Sequence, residues 1–189
     1  GTFLDPTGKT WPALERVREY EPTVTLAIDL PFWFVHGNFR PRNRVDGLLE
    51  RLDEFPGVLV LGTVPFLGET VSKLMITPSQ RAEREVVEAA NAALKVFADG
   101  REEVVLLPLA EIFAAMQEGE SPGTERVEVH PDDVEDLLQA DGIHPNVMGT
   151  AVMALRILEA VDAHFEGRIG ERVDWDVDAL VDAIESADG

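Results

Sequence analysis

The stretch "GVLVLGTVP", residues 57–65, decides the fold. Its side chains are almost all apolar, and a glycine and a proline bound the run. Two further runs have the same character: "TVTLAIDL" at 23–30 and "EVVLLPLA" at 103–110. Near-continuous apolar runs of this length are typical of strands that are buried on both faces of a parallel sheet. The sequence therefore predicts three parallel strands.

Segments with helical spacing precede, separate and follow these strands. Helices are predicted at about 11–20, 45–55 and 79–98, then a helical turn at 111–117, a short acidic helix at 131–139, a long helix ending near Phe165 and a final helical segment at 176–188. The βαβαβ order implies a parallel sheet with helices on both faces. We expect an α/β fold whose final segment packs back on the body or on a partner.

Three strands are few for a doubly wound domain. Such a domain usually needs four or more parallel strands to bury its helices, and the strand at 23–30 would present an apolar edge. We therefore expect one of two situations. Either something outside this chain completes the sheet, or the chain is the C-terminal portion of a longer protein.

The composition is that of a globular chain. Of the 189 residues, 45% are hydrophobic, and no run approaches the roughly 18 apolar residues of a membrane span. We expect a soluble protein, in the cytoplasm or exported. The chain has no Cys, which excludes disulfides, thiolate nucleophiles and Cys-ligated zinc sites.

The charge balance is strongly acidic. Sixteen Lys and Arg residues against 36 Asp and Glu residues give a net charge of −20. Such a field repels phosphate backbones and anionic lipid, so nucleic acid is not an expected partner. The acidic residues either form a solvated surface, as in a salt-adapted protein, or a dedicated cation-binding face.

The segment "ADGIHPN", residues 140–146, places an Asp and a His three residues apart in a turn. Gly142 accepts the positive φ of a tight turn, and Pro145 suits the first position of the following helix while keeping His144 out of the α region. Asp141 can then accept the proton-bearing nitrogen of the His144 ring and fix its tautomer, as in a nucleophilic triad. The alternative is that Asp141 or His144 only caps the helix. The residues alone leave both interpretations open.

The longer stretch "ADGIHPNVMGTAVMA", residues 140–154, resembles the last conserved block of the SGNH, or GDSL-type, hydrolases. That block has Asp-x-x-His followed by Pro, with a Gly a few residues into the closing helix. The resemblance implies that His144 is the base of a Ser-His-Asp triad and Asp141 its orienter, while Pro145 and Gly149 match the scaffold. It further implies an esterase or lipase-like reaction on a small-molecule, carbohydrate or lipid ester, with no cofactor.

The resemblance also implies a three-layer α/β/α, flavodoxin-like fold with a parallel sheet. It extends over about residues 20–165, although only the final block is specific. We therefore expect an SGNH hydrolase-like domain at 1–167 and an acidic C-terminal helical extension at 168–189. The oligomeric state stays open.

The serine of such a triad has no obvious position in the chain. None of the four serines lies in a Gly-Asp-Ser or Gly-x-Ser-x-Gly setting or at the end of an early strand; they are Ser72, Ser79, Ser121 and Ser186. By the resemblance, the three strands correspond to the family's third, fourth and fifth. We therefore expect an incomplete sheet, a nucleophile that lies before Gly1, and no activity of the chain alone.

The family's third block, Gly-x-Asn-Asp, is altered here to "IDLPFWFVHGNF", residues 28–39. Asp29 is predicted at the C-terminal end of a strand, where α/β folds bind ligands. Asn38 is the candidate for the oxyanion donor that the family takes from its Asn. The aromatic cluster is typical of a core or a pocket wall. Within it, Trp33 and His36 are the candidates for a substrate pocket, because they carry polar atoms.

Other polar residues leave alternatives open. Arg40, Arg42 and Arg44 either balance the charge of a loop or hold an anionic group of the substrate, such as a carboxylate or sulfate. No metal site is expected, because the carboxylates fall on predicted helix surfaces without His or Asp at ligand spacing. Two alternatives to a hydrolase remain for the chain: a non-catalytic flavodoxin-like binding module, or an inactive truncated remnant.

Overall fold

The computed structural model describes residues 10–37, 45–53, 55–68 and 76–187. Contacts divide the chain into two compact units. Unit 1 comprises residues 1–68 and 76–110, and unit 2 comprises residues 69–75 and 111–189. The described part of the chain contains a three-stranded parallel sheet and seven α-helices, which confirms the α/β class.

Unit 1 contains the sheet. Its strands are β1 (Val24–Ala27), β2 (Val58–Gly62) and β3 (Val104–Leu107), in the order β1-β2-β3. Both pairings are parallel, and every residue of β2 is buried. The predicted central run at 57–65 therefore forms the middle strand, as its apolar composition requires.

Four helices belong to unit 1: α1 (Thr10–Glu19), α2 (Leu30–Val35), α3 (Val45–Leu52) and α4 (Arg84–Asp99). A single hydrophobic cluster joins α2, α3, α4 and β2. α4 buries Val87, Ala90, Leu94 and Phe97 and confirms most of the helix predicted at 79–98. A separate 3₁₀ turn, Pro78–Gln80, occupies the predicted start of that helix.

The first predicted strand is shorter and more exposed than expected. The run at 23–30 gives only the four residues of β1, and Leu26 within it is 59% exposed. Burial on both faces was therefore the wrong prediction for this strand. Among the described residues β1 pairs with β2 alone, which leaves its other edge open. The run ends early because Leu30 and Pro31 begin α2, where the fixed φ of proline suits the first helical turn.

Unit 2 is built from helices. They are α5 (Leu109–Glu118, from Glu111 onward), α6 (Val147–His164) and α7 (Val177–Ala187). α7 packs against α6, so the final segment packs back on its own chain. The predicted boundary after residue 167 is not tested by this packing and stays a prediction. In the ranges that the structure describes, no helix combines the length and the apolarity needed to cross a membrane.

The prediction of a short acidic helix at 131–139 is wrong. Only a 3₁₀ turn, Val134–Asp136, forms there. Leu138 leaves the helical path because it makes an antiparallel bridge with Pro145, and the Asn146 side chain donates to the Asp136 carbonyl. The segment is thus shaped by the turn that follows it rather than by its own helical spacing.

An ion pair between the buried Asp162 and the partly exposed Arg126 holds the far end of α6. Asp162 is fully buried, and its carboxylate accepts a hydrogen bond from Arg126 Nη1 at 2.6 Å and from the backbone N–H groups of Ile169 and Gly170. Burial alone would raise the pKa of Asp162, but these hydrogen bonds outweigh it and lower that pKa. Arg126 also lies over the Trp175 ring, 3.9 Å from its centroid. The pair therefore links the loop before α6 to the segment before α7.

Candidate active site

The Asp-His segment forms a closed turn in unit 2. Leu138 and Pro145 form the bridge at its base, and the Gln139 N–H donates to the His144 carbonyl at 2.7 Å. Gly142, at the tip, has a φ of +69°, a left-handed conformation that side chains other than glycine rarely adopt. The predicted role of Gly142 in the turn is therefore confirmed.

Asp141 organises the turn with both carboxylate oxygens. Oδ1 accepts hydrogen bonds from the backbone N–H groups of Ile143 and His144, at 2.9 and 3.0 Å. Oδ2 lies 2.6 Å from His144 Nδ1. These bonds lower the pKa of Asp141 to about 2, the bond to the His144 ring contributing most and the two backbone bonds adding to it. The carboxylate is therefore ionised at neutral pH.

The ionised carboxylate determines the state of the His144 ring. A carboxylate only accepts hydrogen bonds, so Nδ1 must carry a proton and donate a hydrogen bond to Asp141. In the neutral ring, Nε2 then has a free lone pair. In the described part of the chain no group hydrogen-bonds to Nε2, and the His144 side chain is 49% exposed. The arrangement can accept a proton from a group that approaches Nε2.

The helix cap belongs to another residue. Asn146 Oδ1 accepts the N–H of Gly149 at 2.9 Å, which makes Asn146 the N-cap of α6. The interpretation of Asp141 or His144 as the cap is therefore wrong. The prediction that Pro145 is the first helical residue is also wrong, because α6 begins two residues later, at Val147.

Gly149 is required by packing. It is buried in the first turn of α6, and a Cβ at this position would collide with the Leu137 carbonyl oxygen. The close approach lets the backbone of residue 137 accept the Asn146 N–H at 3.0 Å. Gly149 therefore allows the base of the turn to lie directly against the start of the helix.

Two glutamines also hold the turn, and the sequence did not indicate either of them. Gln139 donates from Nε2 to the Pro145 carbonyl at 3.0 Å. Gln117, in the last turn of α5, donates from Nε2 to the Gly142 carbonyl at 3.2 Å. Gln117 and Gly142 are 25 residues apart, so their contact depends on tertiary structure that no local pattern encodes.

The remaining predicted site residues belong to unit 1. Asp29 is exposed and occupies the N-cap position of α2, where its side chain makes no capping bond. Trp33 is partly buried and packs edge-on against Phe32, with ring centroids 5.1 Å apart. Asn38 lies outside the described residues, as do the arginines of the segment 40–44.

His36 is buried, with 3% of its surface exposed. Its Nε2 lies 3.1 Å from the Pro65 carbonyl and so donates to it, and its Nδ1 accepts the Ala82 N–H at 3.1 Å. Both ring nitrogens thus join the end of α2 to two loops of unit 1. Its predicted place in a substrate pocket stays a prediction, and the contacts described here are structural.

The serines whose side chains are described all make local hydrogen bonds. Ser79 Oγ lies 3.0 Å from Thr77 Oγ1 in the 3₁₀ turn before α4. Ser121 Oγ accepts the Gly123 N–H, and Ser186 Oγ donates to the Asp182 carbonyl within α7. Ser72 lies outside the described residues.

Comparison with known proteins adds no assignment. Neither the scan against family models nor the searches of curated proteins and solved structures found a match.

Proposed function

We propose that this chain carries the base and the orienting carboxylate of a serine-dependent ester hydrolase of the SGNH type. The observation that supports the proposal is the 2.6 Å contact between Asp141 Oδ2 and His144 Nδ1, with Nε2 left open. An ionised carboxylate behind the ring and a free lone pair in front of it are what a base in acyl transfer requires.

The chemistry follows from this geometry. His144 Nε2 takes the proton of the serine hydroxyl while the serine Oγ attacks the ester carbonyl carbon. The resulting imidazolium then gives that proton to the alcohol oxygen as the carbon–oxygen bond breaks, which leaves an acyl-enzyme. A water molecule then gives a proton to His144 as it attacks the acyl carbon. The imidazolium returns that proton to the serine Oγ as the acyl–oxygen bond breaks, which releases the acid. Asp141 stays ionised throughout, holds the ring in one tautomer and stabilises the imidazolium.

In this proposal the serine nucleophile lies outside the 189 residues. The three described serines are held in local hydrogen bonds and none follows an early strand. The proposed architecture is the three-layer, flavodoxin-like sandwich, with further strands beside β1. The exposed Leu26 and the open edge of β1 support this part of the proposal. The substrate class is an acyl ester on a carbohydrate, lipid or small alcohol, and Asn38 remains the proposed oxyanion donor.

The test is ester hydrolysis by the protein expressed from its complete gene. We expect His144→Ala to reduce kcat/KM for a p-nitrophenyl ester by at least about 10³-fold, because the serine loses its base. The matched control is His130→Ala, which removes an exposed His of the same unit that lies outside the turn. His144→Ala with undiminished hydrolysis would exclude the proposed mechanism, and a wild-type protein without hydrolysis would favour the non-catalytic binding module.

A further inference from the structure

A continuous set of hydrogen bonds runs from α5 to the His144 ring. Gln117 Nε2 donates to the Gly142 carbonyl, and the N–H of the same peptide group, on Ile143, donates to Asp141 Oδ1 at 2.9 Å. The other oxygen of Asp141 accepts from the His144 ring. One peptide group is thus held at its oxygen by α5 and at its N–H by the carboxylate that orients the ring.

This peptide group needs support from outside the turn. It follows Gly142, whose missing Cβ lets the plane of the peptide rotate more freely than after any other residue. The other bonds to the backbone of the turn come from the segment 137–146 itself, through Gln139 and Asp141. Among the described residues, the hydrogen bond from Gln117 is the one that joins the backbone of residues 141–145 to α5.

Gln117 is well placed to supply this support. It lies in the last turn of α5, next to the buried Met116 and one turn after the buried Phe113. Packing fixes the helix backbone that carries this donor, whereas a water molecule at the same carbonyl would leave the peptide free to turn. Hydrogen bonds at the two ends of one peptide group also strengthen each other.

We propose that Gln117 is a positioning residue for the Asp141–His144 pair, acting through the Gly142–Ile143 peptide group. The role in catalysis rests on the proposed function, while the effect on the turn does not. Without the donor, the peptide rotates, the Ile143 N–H leaves Asp141, and the carboxylate holds the ring less firmly.

The experiment compares Gln117→Glu and Gln117→Leu with wild type by NMR. Glutamate keeps the shape of glutamine but has no donor at neutral pH, and leucine tests the same loss without a charge. Hydrogen exchange of the Ile143 amide should accelerate roughly tenfold, the range expected for loss of one hydrogen bond. The His144 Nδ1–H signal should broaden or disappear in the same variants. The control is Glu118→Gln, at an exposed neighbouring position, which should leave both signals unchanged.

The two proposals can fail separately. In the protein from the complete gene, Gln117→Glu should lower kcat roughly tenfold and leave KM within about twofold, because positioning acts on the chemical step. If His144→Ala retains hydrolysis, the proposed function fails, and the exchange data still decide the role of Gln117. Unchanged Ile143 exchange in both Gln117 variants would overturn the positioning role. Acceleration shared equally by amides throughout α6 would overturn it as well, because that pattern indicates general loosening of the unit.

Discussion

Asp141 has the most sharply defined environment of any single residue in the candidate site. Three hydrogen bonds converge on its carboxylate, and all three come from the two residues that follow Gly142. The sequence predicts this contact as one of two interpretations, because an Asp and a His three residues apart in a glycine turn can reach each other without help from the rest of the fold. Local sequence could also have indicated the N-cap of α6, because Asn is among the preferred N-cap residues.

The lowered pKa of Asp141 gives a test at this scale. Its pKa falls from 3.8 to about 2 in the folded protein, so the ionised carboxylate stabilises the fold above pH 3.8. That contribution is lost as the pH falls from 3.8 through about 2. We expect the difference in free energy of unfolding between wild type and Asp141→Asn to shrink over this interval, because Asn does not titrate. Urea unfolding at a series of pH values measures it, and a constant difference would contradict the lowered pKa.

His36 illustrates what the sequence could not provide. Its polar ring within an aromatic cluster predicts a substrate pocket, and that stays a prediction. Its hydrogen bonds with Pro65 and Ala82, which are 29 and 46 residues away along the chain, were not predicted. A polar side chain in an apolar segment has two outcomes, exposure to a ligand or burial with its hydrogen bonds satisfied. The local sequence does not distinguish them, since the partners come from other segments.

At the scale of elements, the start of α6 determines where His144 lies. The helix begins at Val147 because Asn146 caps it, and Gly149 allows the first turn to lie against Leu137. The turn that carries His144 is therefore joined directly to the first turn of a helix of 18 residues. Such a rigid support holds a catalytic group more precisely than a free loop does.

Gly149→Ala tests this arrangement. The added methyl group collides with the Leu137 backbone. We therefore expect the free energy of unfolding to fall by about 1–3 kcal/mol, the usual cost of overpacking. The His144 Nδ1–H signal should also shift. Gly47→Ala is the matched control, because a Cβ at Gly47 in α3 meets no atom within 4 Å. That substitution should stabilise the protein by about 0.5–1 kcal/mol, since alanine favours helix more than glycine does. Equal effects of the two substitutions in urea unfolding would contradict the packing role of Gly149.

The elements themselves divide into those that local pattern predicts and those it does not. The strand at 57–65 and the long helix after the turn were predicted from apolar runs and periodicity, which are properties of a segment alone. The strand at 23–30 was predicted too long, because α2 was hidden within a continuous apolar run. The acidic segment at 131–139 had helical spacing, but pairing with the turn prevents the helix from forming.

At the scale of the whole molecule, the α/β class follows from the order of strands and helices. No strand among the described residues pairs with the outer edge of β1. The proposed triad is likewise only partly present in the described residues. Its Asp and His are present in the expected contact, while the described serines make local hydrogen bonds. Both features support the proposal that the functional protein includes more than these 189 residues.

Labelling with an alkyl fluorophosphonate is the most direct test of His144 as the base of an activated serine. An activated serine attacks the phosphorus, the serine proton passes to the base, and fluoride leaves as the oxygen–phosphorus bond forms. For the protein from the complete gene, we expect one adduct, mapped by mass spectrometry to a serine outside residues 1–189. The adduct should be absent in His144→Ala and retained in His130→Ala. A wild-type protein without an adduct, or labelling at the same rate in His144→Ala, would contradict the assignment of His144 as the base.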